Sequence, residues 1–110
     1  MISTHVLDTA RGAPAAGVPV TLDRVNDGAD ARTLARGTTD ADGRIAALLP
    51  GGVPTAGDYR LRFAAGDYFR GQGATAFYPV VVVHVRLESG TKYHLPLLLS
   101  PFGYSTYRGS

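Results

Sequence analysis

Apolar and polar residues alternate along several short segments of the chain, and this pattern predicts β-strands. The alternation is clearest in residues 18–23, 59–63 and 81–87, where every second residue is apolar, as in a strand with one buried face. Turn-forming residues separate the segments, at positions 11–14, 26–28, 40–43, 50–52 and 89–90. Short strands separated by such turns are typical of a β-sandwich or a β-barrel.

Two segments depart from this pattern. Residues 66–72 predict one short helix of at most two turns, because glycines flank them closely. Residues 95–99, Leu-Pro-Leu-Leu-Leu, are apolar on both faces. One face of a sandwich strand normally meets water, and the sequence predicts no long helix that covers the second apolar face of this segment. We therefore expect another subunit to cover the second face, in a closed symmetric oligomer.

The size and composition of the chain agree with a single domain spanning residues 1–110. A domain of 110 residues buries roughly two-thirds of the surface of its unfolded chain, enough for a core without crosslinks. The chain contains no cysteine, which excludes disulfides, thiolate zinc sites and a cysteine nucleophile. This composition, with no recognisable signal sequence in the first residues, predicts a cytoplasmic protein.

The charges do not indicate a macromolecular partner. Eleven basic residues stand against nine acidic ones, for a net charge of +2. The arginines are scattered singly and form no basic stripe with interleaved aromatic residues, so nucleic acid is not an expected partner. No apolar run reaches the ~20 residues of a membrane-spanning helix, so a membrane is not expected either.

Three histidines are candidates for acid–base chemistry. His84 lies on the polar face of a predicted strand and is interpreted as a surface residue. His5 lies in a predicted first strand, where structural and functional interpretations both remain open. His94 shares a strand face with Pro96 and Leu98, so it either packs in an interface or belongs to an active site. No His-x-His pair or neighbouring carboxylate predicts a metal site.

Two further segments carry polar groups. Residues 40–43, Asp-Ala-Asp-Gly, lack the other ligands of a calcium loop and predict a tight hairpin. By default Arg44, which follows, is a solvent-exposed strand residue. Residues 102–110 stay aromatic and strand-like up to a final Tyr-Arg-Gly-Ser, whereas chain ends usually fray. An ordered chain end holds a hydroxyl, a guanidinium and a carboxylate in fixed positions at the end of this strand.

Taken together, these segments resemble the transthyretin-related family, in its 5-hydroxyisourate hydrolase branch. The resemblance covers essentially the whole chain. It is carried by STHVLD at 3–8, GAPA at 12–15, VPV at 18–20, DGRI at 42–45, GDYR at 57–60, FYP at 77–79 and the closing block at 93–110. The terminal Tyr-Arg-Gly-Ser is the tetrapeptide that separates the hydrolases of this family from its hormone carriers.

The resemblance implies a fold, an assembly and a reaction. The implied fold is an all-β, transthyretin-like sandwich of two four-stranded sheets with one short helix. The implied assembly is a homotetramer, a dimer of dimers with active sites in the channel between the dimers. The implied reaction is hydrolysis of 5-hydroxyisourate, the product of urate oxidation, to 2-oxo-4-hydroxy-4-carboxy-5-ureidoimidazoline. It needs no metal and no organic cofactor.

The resemblance also implies roles for individual residues, position by position. The catalytic positions match His5, Arg44, His94 and Ser110, and the substrate-contacting positions match His5, Arg44 and Tyr107. A neutral imidazole, whose pKa lies near about 6.5, can accept a proton from water. One of the two histidines is therefore expected to be the general base, with Ser110 helping to position the water. Arg44 is expected to bind the substrate carbonyls and to stabilise developing negative charge.

Two alternatives to hydrolysis stay open at this point. The main one is a transthyretin-like carrier that binds a small aromatic ligand in the tetramer channel. The other is a structural sandwich without a ligand, which leaves a histidine on an apolar strand face unexplained. The polar set and the terminal tetrapeptide favour hydrolysis over both. Which histidine acts as the base is not decided by the sequence.

Overall fold

Nine strands and one helix make up the described part of the chain. The structure, a computed structural model, describes residues 1–25, 31–49 and 55–109. Within these ranges the elements are β1 Ile2–Asp8, β2 Ala13–Pro14, β3 Pro19–Val25, β4 Ala31–Thr38, β5 Arg44–Ile45, β6 Gly57–Phe63, α1 Ala65–Gly71, β7 Val81–Leu87, β8 Tyr93–Ser100 and β9 Gly103–Thr106. The turns predicted at 26–28 and 50–52, and the predicted catalytic Ser110, lie outside the described residues.

The strands form two sheets, as predicted. The first sheet has the order β2-β1-β8-β9, with β5 also paired to β1, and the second has the order β4-β3-β6-β7. All neighbouring strands are antiparallel except β1 and β8, which run parallel. The expected four strands per sheet are correct for the second sheet only. The first sheet has five, because two short strands, β2 and β5, pair with different parts of the same edge of β1.

The core lies between the sheets and is built from the inward face of each strand. It contains aliphatic and aromatic side chains from both sheets, among them Val6, Leu22, Tyr59, Leu61, Phe63, Leu97 and Leu99. Each of these is at most 1% exposed. Full burial of one such side chain contributes about 1.5–3 kcal/mol to folding. The alternation in the sequence therefore identifies the inward faces correctly.

The strand with two apolar faces is β8. Its inner face carries the buried Leu95, Leu97 and Leu99, and on its outer face Pro96 is buried and Leu98 is half-buried. Part of the outer face is thus covered within one chain. The half-buried Leu98 remains available to a neighbouring subunit.

The predicted helix is confirmed, shifted by one residue from 66–72 to Ala65–Gly71. It buries Tyr68 and Phe69 against the core. The Tyr68 hydroxyl donates to the buried carboxylate of Asp8 at 2.8 Å. Burial and the neighbouring Asp8 raise the pKa of the Tyr68 hydroxyl above its ordinary value, so Tyr68 stays protonated and donating. The contact ties the end of β1, the strand that carries His5, to the helix.

His84 lies on the outer face of the second sheet, away from the other two histidines. Its side chain is 55% exposed, and its Nε2 lies 2.9 Å from a carboxylate oxygen of Asp58. The same carboxylate accepts a hydrogen bond from Arg86 at 2.8 Å. The surface interpretation of His84 is confirmed. Within the described residues, no helix combines the length and apolar character needed to cross a membrane.

Candidate active site

Three of the predicted site residues lie on the outer face of the first sheet. In the antiparallel pairing of β1 with β5, His5 lies opposite Arg44. In the parallel pairing of β1 with β8, His5 lies opposite Pro96, and Ser3 lies opposite His94. Neighbouring residues of paired strands share a face, and alternate residues of one strand share a face. The two histidines and the arginine therefore project from the same side of the sheet, away from the core.

The turn before Arg44 explains how this arginine reaches β1. The Asp40 carboxylate accepts hydrogen bonds from the backbone amides of Asp42 and Arg44, both at 2.9 Å. Gly43 adopts φ +74°, and a Cβ at this position would clash with the carbonyl oxygen of Val6. Only glycine combines this backbone conformation with such a close approach. The turn can therefore press directly on β1 and place Arg44 beside it.

The hairpin predicted at residues 40–43 is wrong. The turn exists, but the strands on its two sides do not pair with each other. β4 belongs to the second sheet and β5 to the first. After the turn the chain crosses from the second sheet to the first, where the Val6 amide donates to the carbonyl oxygen of Gly43 at 2.7 Å. Because the chain crosses here, Arg44 is a neighbour of His5 and not an isolated surface residue.

His94 is held from two sides. Its ring nitrogen Nδ1 lies 2.8 Å from the Ser3 hydroxyl oxygen. Its backbone carbonyl accepts a hydrogen bond from the Gly109 amide at 2.8 Å. The pKa of His94 is lowered from its ordinary value, first by burial and then by electrostatic interaction with His5 and Arg44. The neutral imidazole, which can accept a proton, is thus favoured near neutral pH.

The C-terminal segment returns from β9 to the beginning of β8. Gly109 forms an isolated antiparallel bridge with His94. The guanidinium carbon of Arg108 lies 5.0 Å from the centre of the Tyr93 ring, a cation–π contact. The expected order of the chain end is confirmed up to Gly109. Tyr107, by contrast, is 59% exposed.

An open cavity of about 350 Å³ borders these residues and is lined by Met1, Ser3, Arg44, Lys92, Tyr93 and His94. Two of the lining side chains are cationic, and His94 and the hydroxyl of Ser3 add polar groups. Such a lining suits a small, planar molecule with several carbonyl oxygens or a negative charge. Across the described ranges, no three histidine or carboxylate side chains converge in a way that could bind a metal ion.

The structure brings together some of the predicted site residues and leaves others apart. Arg44 and His94 line the cavity, and His5 lies beside Arg44 on the same face. Tyr107 does not line it. The sequence interpretation overlooked Ser3. The only sign of it in the sequence is alternation, which places Ser3 on the same face of β1 as His5.

Replacing Arg44 by glutamine is expected to raise the pKa of His94. The Arg44 charge opposes protonation of the imidazole, and glutamine removes that charge while keeping a polar side chain. An NMR titration of the His94 ring measures the change directly. Arg36→Gln, on β4 of the other sheet, should leave the His94 titration where it is. An unchanged titration in Arg44→Gln would show that the guanidinium does not act on His94.

Curated proteins of similar sequence carry the name 5-hydroxyisourate hydrolase. The 5-hydroxyisourate hydrolase of Mesorhizobium japonicum is 52% identical, over 99% of this chain and 91% of the relative. The 5-hydroxyisourate hydrolase of Caulobacter vibrioides is 47% identical, over 99% of this chain and 97% of the relative. Both alignments therefore cover nearly all of each protein.

Two solved structures share the fold. Klebsiella pneumoniae 5-hydroxyisourate hydrolase matches with a TM-score of 0.86 and 40% identity, over 99% of this chain and 98% of that one. Transthyretin from Sparus aurata matches with a TM-score of 0.91 and 33% identity, over 98% of this chain and 95% of that one. The sequence profile described as HIUase/Transthyretin family matches residues 2–109. The chain therefore belongs to the HIUase/Transthyretin family, and its fold is a transthyretin-like β-sandwich.

Proposed function

We propose that this protein is a hydrolase that opens the six-membered ring of 5-hydroxyisourate in urate degradation, giving 2-oxo-4-hydroxy-4-carboxy-5-ureidoimidazoline. The convergence of His5, Arg44 and His94 on one sheet face carries this proposal. The fold alone does not, because a hydrolase and a transthyretin both share it. A carrier of an aromatic ligand has no need of two imidazoles and a guanidinium on one sheet face. The full-length identity to named 5-hydroxyisourate hydrolases supports the same reaction.

In the proposed mechanism, His94 is the general base. Its neutral ring accepts a proton from a water molecule, whose oxygen attacks a ring carbonyl carbon of the substrate. Arg44 donates hydrogen bonds to the carbonyl oxygen as it gains negative charge. When the intermediate collapses, the carbon–nitrogen bond breaks, the carbon becomes a carboxyl group, and the proton held by His94 passes to the released nitrogen. A base positioned in this way contributes about 10²–10⁴-fold to the rate.

His5, Tyr107 and Ser110 are proposed to act on the substrate around this base. His5, opposite Arg44, donates a hydrogen bond to a second polar atom of the substrate ring. Tyr107 contacts the substrate once it is bound, although in this structure it lies apart from the cavity. Ser110 follows Gly109, which is bridged to His94, and is proposed to position the attacking water. The reaction requires no metal ion and no organic cofactor.

Decay of freshly generated 5-hydroxyisourate tests the proposed function. The substrate is followed by ultraviolet absorbance with and without the protein, so that its spontaneous decay is subtracted. We expect a saturable acceleration in proportion to the protein concentration. Binding of the substrate, or of a small aromatic ligand, without any acceleration would instead support the carrier function. That outcome would overturn the proposal, even though both functions predict a positive binding signal.

We also propose that the functional unit is a homotetramer with the cavities in the channel between its dimers. The half-buried Leu98 on the outer face of β8 supports this assembly, and so do the exposed aromatic side chains of Tyr104 and Tyr107 in the C-terminal segment. Sedimentation equilibrium at micromolar concentration should give the mass of four chains. A monomer would contradict the proposal. The cytoplasmic location expected from the cysteine-free composition stays a prediction.

A further inference from the structure

The Ser3 hydroxyl links strands β1 and β8 through a contact with the ring of His94. Its oxygen is 2.8 Å from Nδ1 of His94 and 3.4 Å from the backbone carbonyl oxygen of Tyr93. Ser3 and His94 are direct neighbours in the parallel pairing of β1 and β8. Both ends of this contact therefore lie on paired strands rather than on loops, and strands hold side chains in place more rigidly than loops do.

The direction of the hydrogen bonds at this hydroxyl is coupled to which ring nitrogen of His94 carries the proton. A serine hydroxyl has one hydrogen to donate, and a carbonyl oxygen can only accept. When the Ser3 hydrogen points to the Tyr93 carbonyl oxygen, the Ser3 oxygen must accept from the Nδ1 hydrogen of His94. The neutral ring then has its lone pair at the other nitrogen, Nε2. If Ser3 donated to Nδ1 instead, Nε2 would carry the hydrogen and could not act as a base.

We propose that Ser3 is a positioning residue that keeps neutral His94 protonated at Nδ1, so that Nε2 is free to accept the proton of the attacking water. This inference rests on the proposed hydrolase function and adds a residue to its machinery. In this role Ser3, although it lines the cavity, contacts neither the attacking water nor the reacting carbon. It acts through His94, as a group bonded to the far nitrogen of a catalytic histidine selects the tautomer and orients the ring.

The neighbouring residue in the sequence provides a matched control. The Thr4 hydroxyl donates to the backbone carbonyl oxygen of Leu95 at 2.6 Å. Like Ser3, it joins β1 to β8, but Thr4 is buried on the core side and is directed away from the His94 ring. Thr4→Val removes this link without changing the size of the side chain. It therefore reports the cost of losing a hydroxyl contact between these strands, with no effect on the imidazole.

The test combines kinetics with a spectroscopic measurement of the tautomer. We expect Ser3→Ala to lower kcat about 10-fold or more, with a smaller change in KM, because the ring loses the contact that selects its tautomer. Ser3→Thr, which keeps the hydroxyl, should restore most of the activity. Thr4→Val should lose thermal stability and keep its kcat. Nitrogen-15 NMR of the ring should show the Nδ1–H form in the wild-type protein and a mixture of forms in Ser3→Ala.

Two results would overturn the inference. One is an Nε2–H ring in the wild-type protein, and the other is an unchanged tautomer and kcat in Ser3→Ala. The NMR measurement needs no substrate, so it separates this inference from the proposed function. A wild-type protein that fails to accelerate 5-hydroxyisourate decay but shows the Nδ1–H ring, lost in Ser3→Ala, would overturn the reaction and leave the assigned tautomer standing.

Discussion

His94→Asn is expected to lower kcat/KM for 5-hydroxyisourate by about 10²–10⁴-fold, the usual contribution of a positioned general base. Asparagine is close to histidine in size up to its γ-carbon and can still form a hydrogen bond with Ser3. It cannot accept a proton from water at neutral pH, because an amide is not basic in this range. The loss should therefore be of catalysis and not of folding. Initial rates measured with substrate generated in place, corrected for spontaneous decay, give the ratio.

The matched control for this experiment is His84→Asn. His84 is the same residue type, but it is exposed on the outer face of the other sheet, paired with Asp58. Its replacement should leave kcat/KM within about twofold of the wild-type value, as is usual for a surface change away from the site. Equal activity of His94→Asn and His84→Asn would show that His94 is not the general base, and His5 would then be the candidate. His5→Asn would then be expected to carry the loss assigned here to His94.

The sequence predicted the faces of the strands better than it predicted their neighbours. Alternation identifies the side of a strand that is buried, because the side-chain period is two residues. It contains no information on which strand lies next, or on whether the pair is parallel. The parallel pairing of β1 with β8 is what brings Ser3 to His94. For this reason the sequence singles out His94, a histidine on an apolar strand face, but it does not identify Ser3 as the hydrogen-bonding partner of His94.

The same limit explains the hairpin that does not form. The Asp40 carboxylate and the left-handed Gly43 make a tight turn whether or not the flanking strands pair. Local chemistry therefore predicts the turn correctly. Its direction depends on the contact of Gly43 with Val6, which are 37 positions apart in the sequence. Arg44 becomes a site residue only through that contact, and only the family resemblance pointed to it beforehand.

Electrostatics join these separate elements into one site. The two cationic side chains of the cavity, Arg44 and Lys92, come from different parts of the chain and meet beside His94. Positive charge near an imidazole opposes its protonation, and burial does the same. An arrangement that attracts a carbonyl-rich substrate therefore also keeps His94 in the neutral form that a base requires. Burial is the largest cause of the lowered pKa of His94, and the charge of Arg44, which is also proposed to bind the substrate, adds to it.

Gly109→Ala is expected to remove most of the activity through the addition of one methyl group. A Cβ on Gly109 would lie 2.7 Å from Cδ2 of the His94 ring and 3.1 Å from the His94 carbonyl oxygen. The first distance is shorter than carbon atoms tolerate, so either the ring turns away or the chain end detaches. A turned ring loses its contact with Ser3, and a detached end breaks the Gly109–His94 hydrogen bond. We expect kcat/KM to fall at least ~10-fold, since small displacements of a positioned catalytic group cost about 10²-fold in extreme cases.

Gly71→Ala is the control for the added methyl group. Gly71 is exposed at the end of α1, and a Cβ there meets nothing within 4 Å. Alanine is the better helix former by up to about 1 kcal/mol, so this variant should keep its activity and be no less stable. Gly109→Ala should also keep nearly the wild-type melting temperature, because Gly109 contributes a single isolated bridge at the chain end. Wild-type activity together with unshifted His94 ring resonances in Gly109→Ala would show that the chain end does not constrain the imidazole. Reduced activity with shifted resonances and an intact fold would place the effect on the ring itself.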